Sequence, residues 1–195
     1  MTDSMEEPMV RSFFLAAVVA AFGVSATDAA IAEDTVKIGI IMPLTGVLAP
    51  IGKQVTAAAK LYVAQHGTTV AGKKIELIIK DDSGVPDNAK RLAQEVVVND
   101  KVSVIGSGIT PASLAMAPIV TQGKVATVIM VSGTSIVTER SPYFVRTSFT
   151  LGQSSSIIAE WAAKNGSRKV VIIQSDWAPG AEASAVFTAP LSVGQ

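Results

Sequence analysis

The chain has 195 residues with 16 basic and 16 acidic side chains, so its formal net charge is zero. Such a balance supplies no basic surface for nucleic acid, and we expect no nucleic-acid partner. The chain contains no cysteine, and we therefore expect neither a lipid-anchored lipoprotein nor a disulfide. A hydrophobic content of 49% with only 5% aromatic residues is typical of an α/β protein whose parallel strands are buried.

The amino-terminal part of the chain has the pattern of an export signal. Residues 13–24 form an apolar run that is long enough for a signal peptide and too short to span a bilayer. Ala30, Ile31 and Ala32 follow as a small-x-small cleavage site. We therefore predict a signal peptide over residues 1–32, a mature chain that begins at Glu33, and a periplasmic location.

Strand and helix patterns alternate through the rest of the chain. Strands are predicted at 36–41, 75–80, 102–105, 125–131, 143–147 and 169–174, and helices at 52–66, 86–99, 111–122 and 153–165. This alternation predicts a right-handed, mostly parallel sheet with helices on both faces. We assign residues 33–147 to a first α/β lobe and residues 148–195 to the start of a second.

Five segments carry a resemblance to a known family. They read VKIGIIMPLTGVLAPIG, KKIELIIKDDSGVPDNAKRLAQEVV, VSVIGSGITPASLAMAPI, VSGTSIVTERSPYFVRTSF and VVIIQSDWAPG. In this order they resemble the periplasmic leucine/isoleucine/valine-binding proteins, the solute receptors of ABC importers for branched-chain amino acids, amides or aromatic acids. The resemblance implies a type I periplasmic binding protein fold of two lobes, a membrane permease as partner, no metal and no cofactor. It also implies that this chain is a truncated member.

The resemblance places the ligand at the ends of two strands. Gly108 and Thr110 lie in the first loop, where the hydroxyl and amide of Thr110 would hold a carboxylate at a helix start. In the second loop, Ser132 would offer its backbone carbonyl and Thr134 its hydroxyl. The alternatives are that Thr110 is a plain N-cap and that Thr134 bonds within its own turn.

Two further positions line the ligand cleft by the same resemblance. Ile51 stands where branched-chain amino acid receptors have an aromatic residue, and Trp177 lies close to the position of an aromatic lid in the second lobe. Trp177 has the alternative role of an exposed or interface aromatic. Both positions depart from the leucine pattern, which leaves the ligand open.

Other functions are less well supported by the sequence. The adjacent Asp81 and Asp82 favour turn and cap chemistry over a metal or acid–base pair. No nucleophile motif or phosphate-binding motif is present, so we do not expect an enzyme. A ligand-sensing regulatory domain of the same fold and a non-functional fragment remain as alternatives, and the export signal argues against the sensor.

Overall fold

The computed structural model describes residues 35–192 of the chain, with side chains to Ala189. The strands are β1 Thr35–Met42, β2 Thr69–Val70, β3 Lys73–Asp81, β4 Val104–Ser107, β5 Ala126–Ile129 and β6 Phe144–Arg146. The helices are α1 Ala49–His66, α2 Pro86–Val98, α3 Thr110–Gly123, α4 Leu151–Lys164 and α5 Ala178–Ser192, with a 3₁₀ helix at Ser135–Glu139. The predicted signal peptide and its cleavage site lie outside the described residues.

The strands form one six-stranded sheet in the order β2-β3-β1-β4-β5-β6. Every neighbouring pair is parallel except β2 with β3. The predicted α/β fold with a parallel sheet is thus confirmed. Because β3 and β4 flank β1 on opposite sides, the strand order reverses beside β1, and ligands of open α/β sheets bind at such a point.

The hydrophobic core lies between the sheet and helices α2 and α3. Ile41, Ile105 and Ile129 point into it from three strands and are fully buried. The helices contribute Ala89, Leu92 and Val96 from α2, and Met116 and Val120 from α3. Pro86 begins α2 as predicted, because a proline at the first helical position gives up a donor that would have no partner within the helix.

The opposite face of the sheet is less completely covered. An apolar cavity of about 470 Å³ lies there, lined by strand residues such as Ile38, Leu77 and Met130 and by Tyr62 and Val63 of α1. Within residues 35–192, no helix is long and apolar enough to cross a membrane.

The predicted strand at 169–174 is wrong. These residues have no regular secondary structure, and Val171 and Ile173 are 87% and 95% exposed. A β-branched run becomes a strand only when a neighbour supplies hydrogen bonds and packing, and no strand of the described residues pairs with it. Helices α4 and α5 pack on each other beside this segment. The assignment of residues 148–195 to a second lobe stays a prediction.

Candidate functional site

The carboxyl ends of β4 and β5 bring three of the predicted site residues together. The Thr110 hydroxyl oxygen lies 2.9 Å from that of Thr134 and is also hydrogen-bonded to the hydroxyl of Ser132. All three residues are buried, with 2–4% of their surface exposed. We refer to Thr110, Ser132 and Thr134 as the hydroxyl cluster.

Gly108 allows the two loops to approach this closely. A Cβ atom at Gly108 would lie 2.9 Å from the Cβ of Val131 and 3.0 Å from its backbone nitrogen. Real Cβ atoms essentially never come so near to a neighbour, so any larger residue would push the β4 loop away from the β5 loop. Gly108 therefore sets the spacing of the hydroxyl cluster, and its contact with a ligand stays a prediction.

The structure contradicts the two alternatives for the threonines. Thr110 is the first residue of α3, and the N-cap position belongs to Ile109. Thr134 precedes the 3₁₀ helix without a side-chain capping bond, and its hydroxyl reaches Thr110 across 24 residues of sequence. Both hydroxyls are therefore shared between loops. Each hydroxyl carries one donor and two acceptor positions, so together they can direct donors at a carboxylate.

The backbone carbonyl of Ser132, predicted to bind the ligand, already has partners within the chain. Its backbone carbonyl accepts hydrogen bonds from Nη1 of Arg146 at 3.2 Å and from the Ser148 hydroxyl at 3.1 Å. A carbonyl oxygen has two lone pairs, and both are used here by the chain itself. Ser132 therefore contributes a hydroxyl to the cluster, and its carbonyl is not free to receive the ammonium group of a ligand.

Arg146 is a residue of the site that sequence reasoning missed. Besides the Ser132 carbonyl, its Nη2 donates to the carbonyl of Thr134 at 2.6 Å and to that of Ser135 at 3.2 Å. These partners are uncharged, and among residues 35–189 no carboxylate forms an ion pair with Arg146. Its positive charge favours an anion beside the 132–135 loop.

The other two predicted site residues lie outside the hydroxyl cluster. Ile51 is half-buried in the first turn of α1 and packs against the core. Trp177 is 41% exposed and lines a cavity of about 540 Å³ formed by α4, α5 and residues 170–175. That cavity includes no residue of the hydroxyl cluster. Contact of Ile51 or Trp177 with a ligand stays a prediction.

Asp81 fixes the loop that follows β1. Its carboxylate accepts from the Leu44 amide at 2.7 Å, from the Thr45 hydroxyl at 2.7 Å and from the Ser83 amide at 2.8 Å. This is the turn chemistry predicted for the pair. Desolvation raises the pKa of Asp81, but these hydrogen bonds outweigh it and lower the pKa to about 2.

The neighbouring Asp82 is in the opposite situation. It is fully buried, its Oδ1 accepts from the Gly84 amide at 2.8 Å, and its Oδ2 has no hydrogen-bond partner among the described residues. Burial raises the pKa of Asp82, because removal from water disfavours the charged form.

We expect opposite effects when each aspartate is replaced by asparagine. Asp81 stabilises the fold above pH 4 and loses this effect as the pH falls toward 2, so Asp81→Asn should lower the free energy of unfolding at pH 7 by about 1 kcal/mol. The charged form of the buried Asp82 destabilises the fold, so Asp82→Asn should raise the free energy of unfolding at pH 7. Urea unfolding between pH 7 and pH 3 measures the stability of both variants. The difference between each variant and the unchanged chain should shrink as the pH falls. Effects of the same sign would contradict the assignment.

Comparison with known proteins finds similar solute-binding proteins both by sequence and by structure. The sequence matches the periplasmic binding protein family over residues 35–192. It is 40% identical over 158 residues to "Leu/Ile/Val-binding protein homolog 6" of Brucella abortus, covering 80% of this chain and 40% of that protein. A solute-binding protein of an ABC transporter from Rhodopseudomonas palustris BisB5, in complex with 3,4-dihydroxybenzoic acid, is 62% identical with a TM-score of 0.80.

A second solute-binding protein of an ABC transporter from R. palustris, in complex with 4-hydroxybenzoate, is 38% identical with a TM-score of 0.77. These two structures cover 83% and 82% of this chain, whereas the chain covers 45% and 44% of theirs. The chain therefore spans less than half the length of the relatives it matches.

Proposed function

Because the chain belongs to the periplasmic binding protein family, we propose that it is the solute-binding component of an ABC importer and that its ligand is an aromatic carboxylate of the benzoate type. The observation that carries this proposal is the 62% identity to a protein that holds 3,4-dihydroxybenzoic acid. At lower identity, a relative that holds 4-hydroxybenzoate supports the same ligand class.

The geometry of the sheet edge supports a carboxylate ligand. The hydroxyl cluster offers three groups that can donate, and the positive charge of Arg146 lies behind the same loop. Hydrogen bonds to a charged acceptor are about twice as strong as neutral ones, so a carboxylate gains most from such a set. The cluster hydroxyls bond to one another in the structure, and a ligand would bind by replacing these bonds.

A branched-chain amino acid is the second candidate, because the Brucella relatives are named for leucine, isoleucine and valine. Such a ligand carries an ammonium group, which needs an acceptor near the carboxylate site. The predicted acceptor was the carbonyl of Ser132, which already has two donors. The occupied carbonyl therefore favours a ligand without an ammonium group.

The remaining parts of the proposal follow from the family. The named relatives are solute-binding proteins of ABC transporters, so a membrane permease is the expected partner and enzyme activity is not expected. A location outside the cytoplasm agrees with the export signal in the sequence. We further propose that residues 33–147 form the first lobe and residues 148–195 begin the second, with the ligand held between them.

Calorimetric titration tests the ligand class. We expect 3,4-dihydroxybenzoate to bind at least tenfold more tightly than leucine. Thr110→Val keeps the shape of the side chain and removes the hydroxyl, so it should weaken binding by about 10- to 100-fold, the effect of losing one hydrogen bond to a charged group.

The matched control is Thr69→Val, since Thr69 is exposed in β2 at the opposite end of the sheet. It should leave the affinity unchanged within about twofold. Tighter binding of leucine would contradict the aromatic ligand, and wild-type affinity in Thr110→Val would contradict the site.

A further inference from the structure

A carboxylate from α5 contacts the loop that carries the hydroxyl cluster. Both carboxylate oxygens of Glu182 accept from the Ser135 amide, at 3.1 and 3.0 Å, and one of them also accepts from the Ser135 hydroxyl. The two residues are 47 positions apart in the chain. Hydrogen bonds to an ionised acceptor are among the strong ones, so this contact holds the loop and α5 together.

Besides the bonds from Thr110 and Ser148 described above, three contacts hold the loop. Arg146 binds the carbonyls of its residues, the Leu151 amide at the start of α4 donates to the Gly133 carbonyl at 2.8 Å, and Glu182 takes the amide and hydroxyl of Ser135. The first two contacts come from β6 and the residues just after it. Glu182 alone of these three belongs to α5, so its contact couples the position of α5 to the loop.

The hydroxyl cluster is buried, so a ligand reaches it only after a local movement, and the 132–135 loop carries most of the cluster. Two of the three cluster residues, Ser132 and Thr134, lie in the loop itself and are almost fully buried. Movement of the loop in turn requires the Glu182–Ser135 contact to break or α5 to follow.

We infer that Glu182 is a positioning residue whose carboxylate fastens the 132–135 loop to α5 and thereby sets the rates at which a ligand enters and leaves the hydroxyl cluster. The part of this inference that concerns a ligand rests on the proposed function. The fastening of the loop does not, because it follows from the contact itself.

Hydrogen exchange tests the fastening without any ligand. In the full chain, Glu182→Ala should speed amide exchange of a peptide covering 131–137 by about tenfold and leave a peptide from β1 unchanged. Glu182→Gln keeps an acceptor oxygen and should give a smaller increase. The matched control is Glu160→Ala, which removes an exposed carboxylate of α4 and should change neither peptide. Faster exchange in the β1 peptide as well would mean general destabilisation and would overturn the assignment. An unchanged exchange rate in the 131–137 peptide would overturn it too.

Stopped-flow fluorescence of the tryptophans with 3,4-dihydroxybenzoate tests the effect on access. Glu182→Ala should raise the association and dissociation rates together by about tenfold, with the dissociation constant unchanged within about threefold. A rise in the dissociation rate alone would show that Glu182 contacts the ligand, and it would overturn the access role. If no variant binds the ligand while the loop peptide still responds, the proposed function fails and the fastening role stands.

Discussion

Replacing Arg146 with methionine is expected to lower the free energy of unfolding by about 2–4 kcal/mol and to abolish ligand binding. The guanidinium donates to the carbonyls of Ser132, Thr134 and Ser135, and methionine keeps the stem while removing every donor. Hydrogen bonds to charged groups contribute about 1.5–3 kcal/mol each, and these three share one donor group, so their losses do not add. Thermal unfolding should show a fall in Tm of about 2–4 °C per kcal/mol.

Two further variants separate the causes of this effect. Arg146→Lys keeps the charge but has a single ammonium in place of the planar fork, so it should recover less than half of the lost stability. Arg140→Met makes the same change on an exposed arginine at the end of the 3₁₀ helix and should leave Tm within about 2 °C. A fully stable Arg146→Met would show that the loop does not depend on the guanidinium.

Replacing Gly52 with alanine is expected to destabilise the fold by about 3 kcal/mol. A Cβ atom at this position would lie 1.9 Å from the carbonyl oxygen of Pro43 and 2.7 Å from its carbonyl carbon. These atoms belong to the backbone, which cannot rotate away as a side chain can, so α1 or the loop after β1 must shift. Overpacking of this kind costs about 1–3 kcal/mol, and a backbone clash lies at the upper end.

Gly152 provides the matched control, because it also lies in the first turn of a helix. A Cβ atom there would meet its nearest neighbours at 3.9 and 4.0 Å, which is ordinary contact. Gly152→Ala should therefore be neutral or raise stability by up to about 1 kcal/mol, since alanine has the better helix propensity. Denaturant unfolding of the two variants gives the comparison, and equal losses would contradict the steric explanation.

The sequence predicts the sheet well because its signals are local. The apolar runs at 36–41 and 75–80 appear as β1 and β3 in parallel register, with Ile41 opposite Lys80. The run at 169–174 has the same local signal and forms no strand, because pairing depends on a neighbour that the described chain does not supply. The short strand β2 was missed, since two exposed residues carry no periodicity.

The candidate site was predicted in part for a similar reason. Thr110, Ser132 and Thr134 were predicted through the family resemblance, which places the ligand at two strand ends, and the structure brings them together. Arg146 and Glu182 were missed because their importance lies in backbone groups of a distant loop, and no side-chain pattern marks such partners. The use of the Ser132 carbonyl by Arg146 and Ser148 depends on the same tertiary contacts.

The exposed run at 170–173 has a consequence for the protein in the cell. Val170, Val171, Ile172 and Ile173 form a short uncharged segment of high β propensity, with 95% of Ile173 exposed. Segments of this kind nucleate cross-β assembly between identical chains when their backbone groups are unpaired. Lys169 and Asp176 flank the run as charged gatekeepers, which slow such assembly. We therefore expect the yield of soluble protein to fall as its concentration rises.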